Sequence, residues 1–586
     1  MPSAGHGRGD LPQCTTEDYA VRFADRHRVH DVVSYWAARK PDQIALVDHK
    51  RRRQLSWREF EQQAASLALG LLRLGFRQGD YLAVSLPFLL EHILLEYACF
   101  QIGVIHAPLD LRLTPGDVMR ALNLIRAKGF VFPGRSAAAD FGELGRAVAH
   151  HCPLVRHLIQ VSPPDETIPG ARSFFQWAQE TEAPARRGSL LHSELEAARR
   201  EAVAAVDEHD GVQVIFTTGS TGAPKPALLS HRNITCQNMC LGAAFGFRED
   251  TRLLINLPPS HVGGQSETLM TTLFWGGTAV VLEAFDAAAS LKAIEEHRVN
   301  LLGQIPAMFN HQWRLPDYAR YDLSSLRLAV YGGQQVTRAF LERLTAMAPG
   351  IATGLGLTEA AGFCTYTPPG AGVDDILSSL GYDMPVYPLS IRAPMREDGN
   401  AGERLPDGEV GHICFRGPQT FLGYVGDPAA TQKTISRDGY LYTGDMGFAD
   451  SRGLHFAGRA KWVIKPAGFQ VFPGVVEDYF CAMESKVATC AVVGVPHPLI
   501  SEAIVALVEK KPGVELTAAE LRRHARGLAS YLRPLYYVVL EPGQMPLNRA
   551  AKLDYLKLQQ MALEARKRAG AGAKGQACED LDSAGE

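Results

Sequence analysis

The sequence predicts an α/β protein: a large N-terminal domain of layered α/β sheets, a β-rich subdomain, and a small α+β C-terminal domain. Three observations carry that reading. From about residue 56 to residue 360, short apolar runs alternate with helical periodicities, the punctuation of a largely parallel sheet. From about residue 385 the texture changes to short strands and glycine-containing turns. Beyond Arg459 strands and helices mix again, so the expected bounds are 29–458 and 459–563. Residues 1–28 read as a polar lead-in and 564–586 as a disordered tail rich in Gly, Ala and acids.

Composition supports this and excludes other classes. A chain of 586 residues exceeds what one hydrophobic core usually organises. Hydrophobic residues make up 46% and charged residues 21%, an ordinary globular balance. A net charge of -3 offers no basic field for nucleic acid or a membrane surface. No apolar stretch is long enough to span a bilayer, and Met1 to Asp10 lack the apolar core of a secretion signal. The expected location is therefore cytoplasmic. Ten cysteines are scattered, and only Cys236 and Cys240 lie close, with no second pair to complete a zinc site. Reduced thiols are expected. His150-His151-Cys152, beside Pro153, reads as a loop rather than a metal site.

The elements follow in order. Ser56 and Glu59 form a capping box ahead of a helix through Leu74, with Gly75 as its stop. Gly79-Asp80 turns into a strand over Tyr81–Ser85, a helix covers Glu91–Gln101, Gly103 ends it, and Val104-Ile105 starts another strand. Thr114-Pro115 opens a third helix. Residues 178–208 are charged and helix-prone, a solvated segment. Further strands are expected at Ala279–Leu282, Asn300–Leu302, Arg327–Tyr331 and Ile351–Thr353, with a helix over Ala287–His297. Several of these strands end in glycines, Gly332-Gly333 and Gly354-Leu355-Gly356 among them, and strand ends of open α/β sheets are where ligands bind. Gly354-x-Gly356 is no dinucleotide fingerprint, because Glu359 stands where the third glycine belongs. In the C-terminal part a strand is expected at Ala491–Val495 and a helix over Thr517–Leu528.

The chemistry centres on the stretch Val214 to Pro226. An apolar strand runs into Thr217, Thr218, Gly219, Ser220, Thr221 and Gly222, then Lys225, then a second apolar run at Ala227–Leu229. The hydroxyls are donors, the glycines let backbone N–H groups approach an anion, and Lys225 adds a mobile positive charge. This is a phosphate cradle. It is not a nucleotide-hydrolase P-loop, because Pro224 occupies the glycine position before the lysine and no Ser or Thr follows Lys225.

The cradle resembles the signature loop of the adenylate-forming (AMP-binding) superfamily, which includes acyl-CoA synthetases, aryl-acid ligases, luciferases and peptide-synthetase adenylation domains. Six further stretches match that family in order: Pro258-Pro259-Ser260-His261 with Gly263-Gly264; Gly332-Gly333; Gly356-Leu357-Thr358-Glu359; Tyr442-Thr443-Gly444-Asp445; Gly458-Arg459-Ala460-Lys461 with Ile464-Lys465 and Gly468; and Pro546 to Lys552. The resemblance spans about residues 30 to 560.

It implies activation of a carboxylic acid by attack on the α-phosphate of ATP, pyrophosphate leaving, then transfer of the acyl group to a thiol. Such chemistry depends on positioning and charge stabilisation. Thr217, Thr218, Gly219, Ser220, Thr221, Gly222 and Lys225 would hold the β and γ phosphates, Thr358 would contact the α-phosphate, and Glu359 would bind Mg²⁺. Gly333, Gly354, Leu355 and Gly356 would line the nucleotide. Asp445 would accept both ribose hydroxyls, assisted by Arg459. Lys552 would carry adenylation, delivered by a mobile C-terminal domain. That domain would then rotate about Lys461, with Lys465 and Gly468 shaping a channel for the coenzyme A thiol. His261 would border the substrate carboxylate in a pocket completed by Val262, Gly263, Gly333, Gln334, Gly354 and Gly356.

Four positions depart from the family pattern: Pro226, Leu355, Val475 (with Glu477 retained nearby) and Ala551. None removes a charged catalytic group. The stretch Ser260–Gly264 contains no acid to hold a substrate ammonium, so the resemblance implies a hydrophobic acid, aryl or medium-chain. The implied co-substrates are ATP with Mg²⁺ and coenzyme A. Alternatives are a carrier-protein thiol loaded in trans, a luciferase-like oxygenase, and a catalytically inactive binding protein on the same fold.

Overall fold

The computed structural model describes residues 14–135, 140–182, 190–217, 224–467, 469, 471–547 and 553–576. Among them two large sheets dominate. One has the strand order Gly350–Ala352, Leu328–Tyr331, Leu301–Gln304, Arg252–Ile255, Thr278–Val281, Ile44–Asp48, Arg53–Ser56, parallel except at its last pair. The other runs Gly423–Tyr424, Lys225–Ser230, Gly211–Thr217, Ile105–Pro108, Tyr81–Val84, Gly129–Pro133, His157–Val161, Arg172–Ser173. It is parallel from Gly211–Thr217 onward and antiparallel over its first three strands.

Side chains alternate between the two faces of a strand, so each sheet feeds two cores. Leu253, Ile255, Ala279 and Val281 join the core shared by both sheets, whereas Leu254, Val280, Leu302 and Ala329 pack outward under the helices Ala287–Glu296, Pro306–Trp313 and Arg338–Met347. The helices Leu90–Gln101 and His231–Ala244 contribute to the shared core and are buried nearly all round, as a helix between two layers must be. The Ser56–Glu59 capping box is present: Glu59 N donates to Ser56 Oγ (3.3 Å) and Ser56 N donates to Glu59 Oε2 (2.8 Å). The helix Trp57–Arg73 that it starts is stopped by Gly75 at φ 82.

A four-stranded antiparallel sheet, Leu389–Arg392, Gly411–Phe415, Leu441–Asp450 and Gly453–Arg459, forms the β-rich part. After it, Val487–His497, Ser501–Lys510 and Tyr536–Leu540 make a separate sheet. The helices Pro473–Cys481 and Ala518–His524 share a core with one face and Tyr555–Gln576 with the other.

Three expectations need correction. The polar lead-in carries the helix Thr16–Val21, and Cys14, Tyr19 and Phe23 are buried in the main core. Their spacing in a charged stretch gives no periodic signal, and only packing reveals it. The Tyr19 hydroxyl also lies 2.9 Å from Thr235 Oγ1. The C-terminal helix continues to Gln576, through sequence expected to be disordered, because Leu558 and Ala562 seat its first turns on the last sheet. His150 and His151 end the helix Gly142–His151 instead of lying in a loop.

Candidate functional site

The strands Gly211–Thr217 and Lys225–Ser230 form an antiparallel hairpin in which Thr217 pairs with Lys225. The cradle connects them at the open end. Thr218, Gly219, Ser220, Thr221 and Gly222 lie outside the described residues, as do Gly468, Ala551 and Lys552. Pro226 is accommodated without delaying the strand. It pairs with Phe216, and its carbonyl accepts from Val425 N at 2.9 Å, so the ladder continues on the carbonyl side.

The next strand of that sheet brings in a residue that sequence reasoning missed. Gly423–Tyr424 pairs with Leu228 and Ala227, which sets the Tyr424 ring 5.1 Å from Lys225 Nζ. The Tyr424 hydroxyl donates to Glu359 Oε1 at 2.6 Å, and Phe421 N donates to the Glu359 carbonyl at 2.9 Å. Burial, with the Glu359 carboxylate beside it, pushes the phenol well above its ordinary range, so it stays a proton donor. Thr358, Glu359 and Ala360 form a single 3₁₀ turn between the strands Gly356–Leu357 and Gly362–Phe363. The signal for Tyr424 was the apolar Phe421-Leu422-Gly423-Tyr424 run. It names a strand, but not the strand's neighbour.

Asp445 and Arg459 face each other across adjacent strands, and Arg459 Nε sits 2.8 Å from Asp445 Oδ1. The aspartate side chain is 6% exposed and the arginine 56%. Gly444, at φ 80, turns the chain there, and Asp445 N donates to Thr443 Oγ1. Leu357, Glu359, Tyr424, Thr443, Gly444 and Ala460 all line one cleft of about 340 Å³. Residues far apart in sequence thus converge on one opening. A larger hollow of about 570 Å³ lies along Arg156 to Glu180 and contains none of the candidate residues. His49, Glu296 and His297 bring ligand-type atoms within 4.8 Å of one another, but Arg52 at 2.9 Å and Lys292 at 3.6 Å already hold Glu296.

His261 precedes the π-helix Gly263–Met270 and its Nδ1 accepts from Gly263 N at 2.9 Å. Val262 is buried and Gln334 exposed, while Gly333 takes φ 91. Gly264 is fixed by contact, since a Cβ there would stand 2.4 Å from the Pro258 carbonyl. Gly354 is small for the same reason. A Cβ would meet Thr365 O at 2.0 Å, so this glycine serves a backbone approach rather than room for a ring or chain. Leu355 is partly buried against the main core.

Lys461 sits in the 3₁₀ turn Ala460–Trp462, 4.6 Å over the Trp462 ring, and burial followed by the neighbouring Arg459 lowers its pKa. Lys465 N donates to Glu502 Oε2, while its side chain is exposed. Val475 is exposed, whereas Glu477 accepts from Val492 N at 2.8 Å and is pushed up to about 7 by burial.

Comparison with known proteins shows the family. Residues 33–425 match the AMP-binding enzyme family, and residues 476–552 match the AMP-binding enzyme C-terminal domain. A mitochondrial medium-chain acyl-CoA ligase of Bos taurus is 28% identical over 543 residues, 89% of this chain and 86% of its own. A feruloyl-CoA synthase of an Amycolatopsis species is 31% identical over 495 residues, covering 82% and 89% of the two chains. The solved structure of an anthranilate CoA ligase in complex with anthranoyl-AMP shares the fold, with a TM-score of 0.75 at 21% identity over 91% of this chain and 97% of that one. Among the described residues no helix is long and apolar enough to cross a membrane.

Proposed function

Since the chain belongs to the AMP-binding enzyme family, and is thereby an ATP-using acid–thiol ligase, we propose that it activates a hydrophobic carboxylic acid, aryl or medium-chain, and transfers it to coenzyme A. The observation that carries the proposal is the convergence of Glu359, Tyr424, Thr443 and Gly444 on one cleft, with Lys225 against the Tyr424 ring. In the first half-reaction a substrate carboxylate oxygen attacks the α-phosphorus of ATP and pyrophosphate leaves. In the second the thiol sulfur attacks the acyl carbonyl and AMP leaves.

The roles follow from chemistry. Lys225 and the hydroxyl-rich loop Thr217 to Gly222 hold the β and γ phosphates, and Thr358 donates to the α-phosphate. Asp445, paired with Arg459, accepts the ribose hydroxyls. Lys552 brings a compact charge to the α-phosphate and the attacking carboxylate. Glu359 fits a magnesium ion: the Tyr424 hydroxyl orients Oε1, and among the described residues Oε2 has no protein partner. The ion would neutralise phosphate charge. Division at Arg459, with Lys461 as hinge, lets one site serve both halves. The relatives compared above are named for CoA chemistry, which favours coenzyme A over a carrier protein.

The test is acid-dependent release of AMP and pyrophosphate from Mg-ATP, with aryl acids and straight-chain acids from butyrate to palmitate, with and without coenzyme A. Turnover that requires coenzyme A and yields a thioester is the expected result. Release limited to a single turnover and indifferent to coenzyme A would contradict it.

A further inference from the structure

Two aromatic rings that the scheme above leaves unused join the hinge turn to the end of the segment that carries Lys552. Trp462 ends the 3₁₀ turn Ala460–Trp462, immediately after Lys461. Tyr555 opens the helix Tyr555–Gln576, three residues after Lys552. Their ring centroids lie 4.7 Å apart with the planes 19° from parallel, a stacked pair at the close end of the range that aromatic rings prefer. Lys461 Nζ stands 4.6 Å from the centroid of the same Trp462 ring, within cation–π reach.

Each ring is fixed to the C-terminal domain on its own side. Two residues past Trp462, Ile464 is buried in the core beneath the helices Pro473–Cys481 and Ala518–His524, and it pairs with Val471. Tyr555 packs with Leu558 in the core on the other face of the last sheet, so the stack links the two layers. Just before Tyr555, Leu553 pairs antiparallel with Leu547, and Asp554 N donates to the Pro546 carbonyl at 2.9 Å. Met545 N in turn donates to Glu509 Oε2 at 2.7 Å. Lys552 adjoins Leu553, so these contacts fix the base from which it extends. Both rings follow Lys461 in the chain, and a rotation there carries them as one body. The Tyr555 phenol is pushed above its ordinary range by burial, with Glu477 adding to the effect and Arg459 opposing it, so the ring stays uncharged.

We propose that Trp462 and Tyr555 are positioning residues for Lys552: their stack ties the base of the lysine's segment to the hinge turn, so that rotation at Lys461 delivers Lys552 to the α-phosphate in register. This rests on the roles given above to Lys552 and Lys461. A reacting charge displaced by about 1 Å costs roughly 100-fold in rate, so a small loosening at the base of that segment is felt in adenylation. The thiol half-reaction makes no use of Lys552 and does not depend on the stack. That asymmetry separates positioning from ordinary packing, whose loss weakens both halves alike.

The experiment measures the two half-reactions separately in the full chain, for the wild type, Tyr555→Leu, Tyr555→Phe and Trp462→Leu. One is pyrophosphate release from Mg-ATP with whichever of benzoate, cinnamate and decanoate the wild type uses fastest, and the other is thioester formation from the matching acyl-adenylate and coenzyme A. Tyr555→Leu and Trp462→Leu should each slow adenylation by roughly 10- to 100-fold, in kcat rather than in KM for ATP, because Lys225 and Asp445 still bind the nucleotide. Their thioester half should stay near the wild-type rate. Tyr555→Phe keeps the ring and should retain most of the adenylation rate. Trp462→Leu removes the stack from the other side and serves alone if Tyr555→Leu does not fold. Equal losses in both halves, unchanged adenylation in the leucine variants, or a loss as large in Tyr555→Phe overturns the inference while wild-type turnover leaves the ligase reading standing. A wild type that releases pyrophosphate with no acid overturns both.

Discussion

At the residue scale the site depends on how few atoms hold each charged group. Tyr424 touches Glu359 through one 2.6 Å hydrogen bond. Tyr424→Phe should therefore lower kcat/KM for ATP by roughly 10-fold, the loss of a hydrogen bond to a charged group at about 1.5–3 kcal/mol less whatever water restores. Steady-state kinetics at varied Mg-ATP would read it, and an unchanged value would remove Tyr424 from the site. Asp445→Ala should weaken ATP binding with little effect on the unfolding midpoint, because its partner Arg459 stays well solvated and such pairs contribute little to stability. Calorimetric titration with a non-hydrolysable ATP analogue measures the first and thermal unfolding the second. Lys552→Ala should abolish adenylation and largely spare thioester formation from a supplied acyl-adenylate. Equal loss of both halves would contradict a domain that serves them in turn.

At the element scale, legibility follows locality. The helix Trp57–Arg73 was readable because its capping box and glycine stop are contiguous signals. So was the helix Ala287–Glu296, capped by Asp286. The π-helix Gly263–Met270 was not, because its widening is set by the Thr268 hydroxyl reaching the Gly263 and Gly264 carbonyls and by the Pro258 backbone pressed on Gly264. Gly354 gives the sharpest test of such contact. Gly354→Ala would drive a Cβ into the Thr365 carbonyl and should destabilise the chain by about 1–3 kcal/mol, read as a lower denaturant midpoint. An unshifted midpoint would show that the two segments can separate at no cost.

At the scale of the whole molecule, a polar cluster lies in the core shared by the two sheets. His106 Nδ1 and Gln213 Nε2 lie 3.2 Å and 2.7 Å from Glu96 Oε1, and His92 contacts His106, all fully buried. Burial pushes Glu96 up to about 8, only partly offset by His92 and the Gln213 and Gln265 amides. A carboxyl whose folded value lies above its unfolded one contributes stability that is complete below about 4.5 and lost as pH rises to about 8. Glu96→Gln cannot ionise, so its melting temperature relative to wild type should climb from pH 5 to pH 8. A constant difference over that range would mean that Glu96 is already ionised in the fold by pH 5, as it is in the unfolded chain.

Sequence alone determined the layered α/β class, the order of the glycine-rich and charged stretches and their chemical type. Those are set by local periodicity, capping and spacing, and they survive without knowledge of what touches what. Tertiary structure decided which of these stretches meet. It laid Tyr424 beside Lys225 through an antiparallel pairing across nearly two hundred residues, drew Cys14, Tyr19 and Phe23 from an apparently polar segment into the core, and turned Glu267 toward Gly356 and Gly362. Each of those outcomes depends on register and close packing between elements remote in the chain, and such contacts leave no periodic trace in the sequence of either partner.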